Sequence, residues 1–100
     1  MENKDKVFIL LKKIPVGKVT TYKALAKKAG LGNPRQVGKI IHGNNHPEIY
    51  PCHRVVKSDG TLASGYKFGG LAGQKKRLLS EGITFSKNKI DLSKNQFNFS

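Results

Sequence analysis

The sequence predicts a mainly α-helical single domain of the winged helix-turn-helix-like type, with a small β-hairpin. Apolar residues recur at helical spacing in several segments, two of which are short and joined by a glycine-bearing turn. Further on, β-branched residues precede an Asp-Gly turn, the usual signal of a hairpin. One hundred residues suffice for one modest core. We expect one domain over residues 1–92 and a loosely ordered tail over 93–100, which is rich in Asn and Ser.

The first two helices are predicted from their apolar faces and from the residues that end them. The first helix ends before Pro15, which cannot continue it. The second is capped by Thr20 or Thr21 and stops at Gly30. The apolar face of the first helix is formed by Val7, Leu10, Leu11 and Ile14.

The third helix is predicted to begin at Pro34, with Asn33 as its cap. One face is apolar and an adjacent face is basic, and the turn before it contains glycine. This pattern is typical of a helix-turn-helix, although a generic helical hairpin has the same pattern and stays open. The apolar face holds Val37, Ile40 and Ile41, and the basic face holds Arg35, Lys39 and His42.

The second half of the chain alternates loops with short regular elements. "HGNNHPEIYPCHRVV" is rich in Gly, Asn and Pro and is expected to be an ordered loop, followed by a hairpin or wing that turns at Asp59-Gly60. "GGLAGQKKRLLSEG" predicts a last helix that stops at Gly82, and "ITFSKNKIDL" a short strand pair. In that last helix Leu71, Leu78 and Leu79 are expected on one apolar face, and Lys75, Lys76 and Arg77 in solvent.

The charge of the chain favours an anionic partner. Nineteen Lys and Arg residues against six acidic residues give a formal net charge of +13. Nucleic acid and anionic membrane surfaces are the usual partners of such an excess, and solubility is the alternative explanation. The longest apolar run, Val7 to Leu11, is too short to cross a bilayer, and no cleavable signal precedes it. We therefore expect an intracellular protein, in the cytoplasm or nucleoid if the source is prokaryotic, without a membrane partner.

Cys52 is the single cysteine of the chain and lies in "YPCHRVV". A lone cysteine is most often a small buried apolar residue. A metal site is disfavoured, because structural zinc needs four ligands and the spacing of His42 and His46 to Cys52 matches no zinc pattern. The basic neighbours His53 and Arg54 favour the reactive thiolate, but many unreactive cysteines have basic neighbours. From the residues alone, a core cysteine and a nucleophile both stay open.

"PCHRVV" resembles the active-site motif of the O6-alkylguanine-DNA alkyltransferases, the methylated-DNA–protein-cysteine methyltransferases. "GKVTTYKALAKKAG", "NPRQVGKIIHGN", "SGYKFGG" and "KKRLLSEG" match further motifs of this family in the same order. The resemblance runs from Val16 to Gly82 and covers the C-terminal DNA-binding and active-site domain, without the additional N-terminal domain of members of usual length. It implies irreversible, single-turnover transfer of an alkyl (methyl) group from guanine O6 in duplex DNA to cysteine, with the base flipped out of the helix. It also implies that no cofactor is needed, because the thiol itself accepts the group. We further expect a monomer without a metal site.

The resemblance assigns roles to individual residues. Cys52 would accept the alkyl group, and His53 with Glu81 would form a hydrogen-bonded relay that activates it through a water molecule. Tyr22 would donate a proton or hydrogen bond to the departing guanine and would also touch DNA. Without the resemblance, Tyr22 reads as a half-buried core ring and Glu81 as a surface charge at a helix end.

The same resemblance predicts the DNA contacts and the pocket. The third helix would enter the minor groove, where Arg35 would fill the stack vacated by the flipped nucleotide. The remaining DNA-binding residues would be Gly38, which allows close approach, and Lys39, near a phosphate. Asn44 and Arg54 would support the active site, and Tyr66, Gly69 and Val55 would form the alkyl and base pocket.

Two other functions remain open at this point. The alkyltransferase-like proteins are about this long and bind lesions to flag them for excision repair without transfer, but they usually have tryptophan in place of the cysteine, so Cys52 favours transfer. A sequence-specific helix-turn-helix regulator with a structural Cys52 is the other candidate. One departure from the family concerns a lysine near the start of the last helix, where Gln74 stands, followed by Lys75.

Overall fold

The computed structural model describes residues 2–62, 66 and 68–99, and these form a mainly helical domain with small two-stranded sheets. The predicted fold class is confirmed. None of the helices in these ranges is long and apolar enough to cross a membrane. In chain order the elements are α1 (Asn3–Lys13), β1 (Thr20–Thr21), α2 (Tyr22–Ala29), α3 (Pro34–His42), a 3-10 turn (Cys52–Arg54), β2 (Val55–Val56), α4 (Gly70–Ser80), β3 (Phe85–Ser86), β4 (Lys89–Ile90) and α5 (Leu92–Asn95).

Local capping fixes the ends of α2 and α3. The hydroxyl of Thr21 accepts a hydrogen bond from the backbone N–H of Ala24 at 3.0 Å, which begins α2. Gly30 ends α2 in the left-handed region, at φ 77°, where a side chain would be strained. The carboxamide oxygen of Asn33 then accepts from the N–H of Arg35 at 2.9 Å and begins α3. The predicted pair of short helices is therefore present, and it packs with α1 around one core.

The strand after Cys52 pairs differently from the prediction. Val55 and Val56 lie parallel to β1, with Thr20 opposite Val55, instead of forming the first arm of a hairpin. Both valines are fully buried. Pairing with β1 in the interior allows this burial, whereas an arm of an exposed wing would face solvent. The Asp59-Gly60 turn itself forms, but the expected return arm includes residues 63–65, which lie outside the described residues. The antiparallel hairpin is the β3–β4 pair, as predicted for "ITFSKNKIDL".

The last residues differ from the loosely ordered tail expected for 93–100. The N–H of Val19 donates to the carbonyl of Asn95 at 2.9 Å, and the N–H of Phe97 donates to the carbonyl of Val19 at 2.7 Å. Phe97 and Phe99 contact each other edge to face and pack against the main core. Two phenylalanines in alternate positions supply the apolar surface that the polar composition of this segment concealed.

The apolar face expected for α4 is mostly wrong. Leu78 is fully buried, but Leu71 and Leu79 are about half exposed. The position that faces inward with Leu78 is Gln74, which is 1% exposed. A polar residue at this place in the core needs hydrogen-bond partners. The amide nitrogen of Gln74 has them in the segment that carries Cys52, whereas its buried oxygen has none among the described residues.

Candidate active site

Cys52 starts the 3-10 turn that follows the long loop, and its side chain is buried. The loop before it is held by Asn44, which is itself buried. The Asn44 amide donates to the carbonyl of Tyr50 at 2.9 Å, and its oxygen accepts from the N–H of His46 at 2.9 Å. One side chain therefore connects both arms of the loop and holds the backbone immediately before Cys52.

His53, Arg54 and Glu81 form one polar network beside this turn. The imidazole Nε2 of His53 is 2.8 Å from Oε2 of Glu81. Arg54 donates from Nη2 to Oε2 of Glu81 at 2.7 Å and from Nε to Oε1 at 2.9 Å. Its Nη1 donates to the carbonyl of Ile14, at the end of α1, at 2.7 Å. The network thus connects the turn, the end of α4 and the end of α1.

The electrostatics of this network select one protonation state. Burial lowers the pKa of His53 below its ordinary value of 6.5, although the hydrogen bond with Glu81 acts in the opposite direction. Burial would raise the pKa of Glu81, but hydrogen bonds from Arg54 and His53 outweigh burial and lower it. At neutral pH His53 is therefore neutral and Glu81 ionised.

The carboxylate decides the tautomer of His53. Because an ionised carboxylate only accepts hydrogen bonds, the His53 proton must lie on Nε2. This leaves Nδ1 as an unprotonated acceptor. Nδ1 is buried and has no hydrogen-bond partner among the described residues. The imidazole is thus prepared to take up one proton on the side away from Glu81.

A cleft of about 630 Å³ opens beside Cys52. Its lining combines the thiol, two phenol rings and the basic face of α3, and it therefore places a thiol beside a surface suited to an anionic partner. Of the predicted site residues, Tyr22, Arg35, Gly38, Lys39, Cys52 and Tyr66 line it, and Pro34, Ile41, His42 and Lys57 complete it.

The two tyrosines remain protonated at neutral pH. Burial raises the pKa of Tyr22, and the nearby Cys52 raises it further by charge repulsion. Burial also raises the pKa of Tyr66, whose hydroxyl oxygen accepts a hydrogen bond from Nη1 of Arg77 at 3.2 Å. A protonated phenol can donate a hydrogen bond to a group in the cleft.

Val55 and Gly69 do not line this cleft, in contrast to the pocket roles predicted for them. Val55 is fully buried in the core, in β2, where it pairs with Thr20 of β1. Gly69 precedes α4 at φ 109°, and a Cβ there would lie 3.1 Å from Cα of Gly73. A side chain at this position would therefore be strained and crowded, which explains glycine there by backbone packing. Among the described residues, no group of three or more His, Cys, Asp and Glu side chains could hold a metal ion.

Sequence reasoning missed the buried role of Gln74 and the position of Lys57. Gln74 is a polar residue followed by Lys75, Lys76 and Arg77, and only its helical spacing to Leu78 indicates that it faces inward. Lys57 follows the buried valines and reaches the cleft because the chain turns immediately after it. No local pattern identifies that residue.

Comparison with known proteins shows which family has this fold and this site. The family model of the DNA-binding domain of 6-O-methylguanine DNA methyltransferase matches residues 2–83. The chain belongs to this family. It is 48% identical over 82 residues to a methylated-DNA–protein-cysteine methyltransferase of Candida glabrata, matching 81% of this chain and 38% of the relative. It is 50% identical over 78 residues to the Pyrobaculum aerophilum protein of the same name, matching 78% and 51%.

The chain thus spans about half the length, or less, of these curated relatives. Among solved structures, S. pombe Atl1 in complex with damaged DNA containing O6-carboxymethylguanine is similar, with a TM-score of 0.85 and 30% identity over 96% of this chain and 94% of that one. The Mycobacterium tuberculosis OGT in complex with DNA has a TM-score of 0.75 and 31% identity, over 82% and 49%.

Proposed function

We propose that this protein transfers an alkyl group, typically methyl, from O6 of guanine in duplex DNA to Cys52, once per molecule. The observation that carries the proposal is the position of the thiol: Cys52 lines the same cleft as Tyr22 and Arg35, and the next residue, His53, is hydrogen-bonded to Glu81. The curated relatives named methylated-DNA–protein-cysteine methyltransferase support it.

The reaction exchanges an S–H bond for an S–C bond. Nδ1 of His53 takes the thiol proton through a water molecule, while Glu81 stabilises the imidazolium that forms. The thiolate attacks the alkyl carbon, the bond from that carbon to O6 breaks, and its electron pair leaves with the guanine. The hydroxyl of Tyr22 donates a hydrogen bond to the developing negative charge on the base, and the proton taken from the thiol passes from His53 through water to the departing guanine. No cofactor takes part.

DNA would lie along α3, with its minor groove over Gly38. Apart from its own stretch of helix, no atom of the described residues lies within 4 Å of a Cβ built on Gly38, so the backbone there is open to close approach. Arg35 and Lys39 lie before and after Gly38 and line the cleft. This position suits Arg35 for replacing the flipped nucleotide and Lys39 for lying near a phosphate. Because the substrate is DNA, we expect the protein to work inside the cell, in the cytoplasm or, if the cell is prokaryotic, the nucleoid. We also expect it to act as a monomer.

The deciding experiment is incubation with a duplex containing O6-methylguanine, followed by intact-protein mass spectrometry. We expect a mass gain of one methyl group per protein, located on Cys52 and absent in Cys52→Ser. A duplex with unmodified guanine is the matched substrate control. Equal affinity for modified and unmodified duplex, with strong preference for one operator sequence, would instead identify a regulator.

The role of Arg35 is tested by comparing two substrates. Arg35→Ala should slow transfer from duplex far more than transfer from a free O6-alkylguanine base, because only duplex requires a flipped nucleotide to be replaced. The matched control is Lys12→Ala, which removes an exposed cation of α1 that does not line the cleft. Equal losses on both substrates would exclude the intercalating role.

A second candidate is a lesion-binding protein that does not transfer the group. The observation in its favour is the structural likeness to S. pombe Atl1, whose TM-score exceeds that of the M. tuberculosis OGT. Tight binding of the modified duplex without a mass gain at Cys52 would favour this candidate over transfer.

A further inference from the structure

Gln74 binds the backbone of the segment that carries the thiol. It lies on α4 and is 1% exposed. Its Nε2 donates to the carbonyl of His53 at 2.9 Å and to the carbonyl of Val55 at 3.1 Å. Two carbonyls can be satisfied only by two N–H groups, and the single carboxamide nitrogen provides both. This buried amide therefore fixes the course of the chain from His53 to Val55.

The same helix holds the ring of His53 as well. Glu81, which ends α4, lies seven residues beyond Gln74. Seven residues are about two helical turns, roughly 10 Å along the axis, and such residues share a face. Gln74 thus holds the backbone of His53 while Glu81 holds its Nε2. With both ends fixed, the direction in which Nδ1 points is fixed too.

We propose that Gln74 is a positioning residue for alkyl transfer, which orients the imidazole of His53 towards the thiol of Cys52 by fixing the carbonyls of His53 and Val55. The proposal rests on the transfer function proposed above. A misplacement of about 1 Å at a reacting group can slow a reaction about 100-fold, so a backbone anchor of this kind affects rate as well as stability.

An uncharged side chain suits this position. The positive charges of Arg54 and Arg77 already act on His53 and favour its neutral form. A lysine at position 74 could also donate to both carbonyls, but its charge would make protonation of His53 harder still. Gln74 supplies the donors without adding a charge beside the imidazole.

Two substitutions separate the donor function from packing. Gln74→Met keeps the length of the side chain and removes both donors, and Gln74→Lys restores donors with an added charge. Leu79→Met is the matched control, because Leu79 lies on the exposed side of the same helix. Each variant is compared at a temperature where circular dichroism shows it to be folded.

The readouts are the tautomer of His53, from ¹⁵N-resolved NMR, and the pH profile of Cys52 alkylation by iodoacetamide. Wild-type protein and Leu79→Met should carry the His53 proton on Nε2. In Gln74→Met the ring of His53 is no longer held in place, so both tautomers should be present and Cys52 should react about tenfold more slowly. The acid limb of the profile should shift upwards towards 6.5, the ordinary pKa of His53, because burial no longer lowers that pKa as strongly. Gln74→Lys should recover the rate and the tautomer, with the acid limb shifted below that of wild type.

A purely structural role predicts a different result. Gln74→Met would then be less stable but would show the wild-type tautomer, rate and pH profile, and this would overturn the proposal. If Gln74→Met does not fold, Gln74→Lys decides: a mixed tautomer or an unshifted acid limb would refute the proposal. Because iodoacetamide needs no DNA, a wild-type protein that reacts this way but takes no methyl group from DNA would refute the proposed function and leave the role of Gln74 intact.

Discussion

Replacing Glu81 with glutamine removes the charge of this side chain but keeps its size. Glu81 is 14% exposed and accepts hydrogen bonds from His53 and from two nitrogen atoms of Arg54. A glutamine has one acceptor oxygen, so at least one of these donors must face an NH₂ group. A hydrogen bond to a charged group contributes about 1.5–3 kcal/mol, and we expect Glu81→Gln to destabilise the protein by about 2 kcal/mol. For a domain of this size that is a fall in Tm of roughly 10 °C.

The effect on transfer should be larger than the effect on binding. Without the carboxylate, His53 is no longer held in the Nε2–H tautomer, and Glu81 does not line the cleft. We expect transfer about 100-fold slower, at the lower end of what general acid–base catalysis contributes, with unchanged DNA affinity. Rapid-quench mixing with an O6-methylguanine duplex, read by mass spectrometry, measures the rate.

The pH dependence provides an independent check. The folded pKa of Glu81 lies below its ordinary value of 4.5, so its contribution to stability is complete above about pH 4.5 and is lost as pH falls through the folded pKa. Glu81→Gln should remove this part of the acid limb of a Tm-against-pH curve. Glu48→Gln is the control, since Glu48 is 65% exposed beside His46 and should change nothing. A Glu81→Gln protein that is less stable but transfers at the wild-type rate would refute the relay.

Four further outcomes are expected. Tyr22→Phe should slow transfer, because the departing guanine loses one neutral hydrogen bond, and should leave duplex affinity within about twofold. If the transfer rate and the duplex affinity fall equally, the phenol only binds DNA. The transfer rate should fall as pH drops from 6.5 through the lowered pKa of His53, because the protonated ring cannot accept the thiol proton. Folding stability should fall in the same pH window. A transfer rate that does not change with pH would argue against His53 as the base. Lys39→Ala should reduce the slope of log affinity against log salt by about 1, whereas Lys28→Ala, outside the cleft, should not; identical slopes would exclude a phosphate contact. Phe97→Ala should cost about 2 kcal/mol in urea unfolding, roughly half the value for a fully buried ring, and a change below about 0.5 kcal/mol would mean that the tail contributes little.

Local chemistry made part of the fold predictable. The caps of α2 and α3 depend on side chains that bond to backbone within three residues, and the sequence therefore predicts them well. The parallel pairing of Val55 with Thr20 and the contacts of Val19 with the tail join distant segments, and no local pattern specifies such partners.

The site, too, could be predicted from the sequence only in part. Physical reasoning about neighbours left Cys52 between a core residue and a nucleophile, and the resemblance to a family named His53 and Glu81 as its partners. The structure brings that pair within 2.8 Å. Gln74 was noted only as a departure from the family. Its burial was missed because a buried amide in a basic helix has the same local sequence as an exposed one, and its partners are backbone carbonyls, which the sequence does not indicate.

The pairing of Val19 with residues 95–97 protects β1 as well as holding the tail. Thr20 and Thr21 pair with β2 on one side of this short strand, and the tail occupies the other side at Val19. If the tail were removed, that side would expose unpaired N–H and C=O groups at the edge of a buried sheet, and such edges recruit strands from other molecules. Shortening the chain before Gln96 should therefore promote self-association at high concentration, even where the remaining helices stay folded.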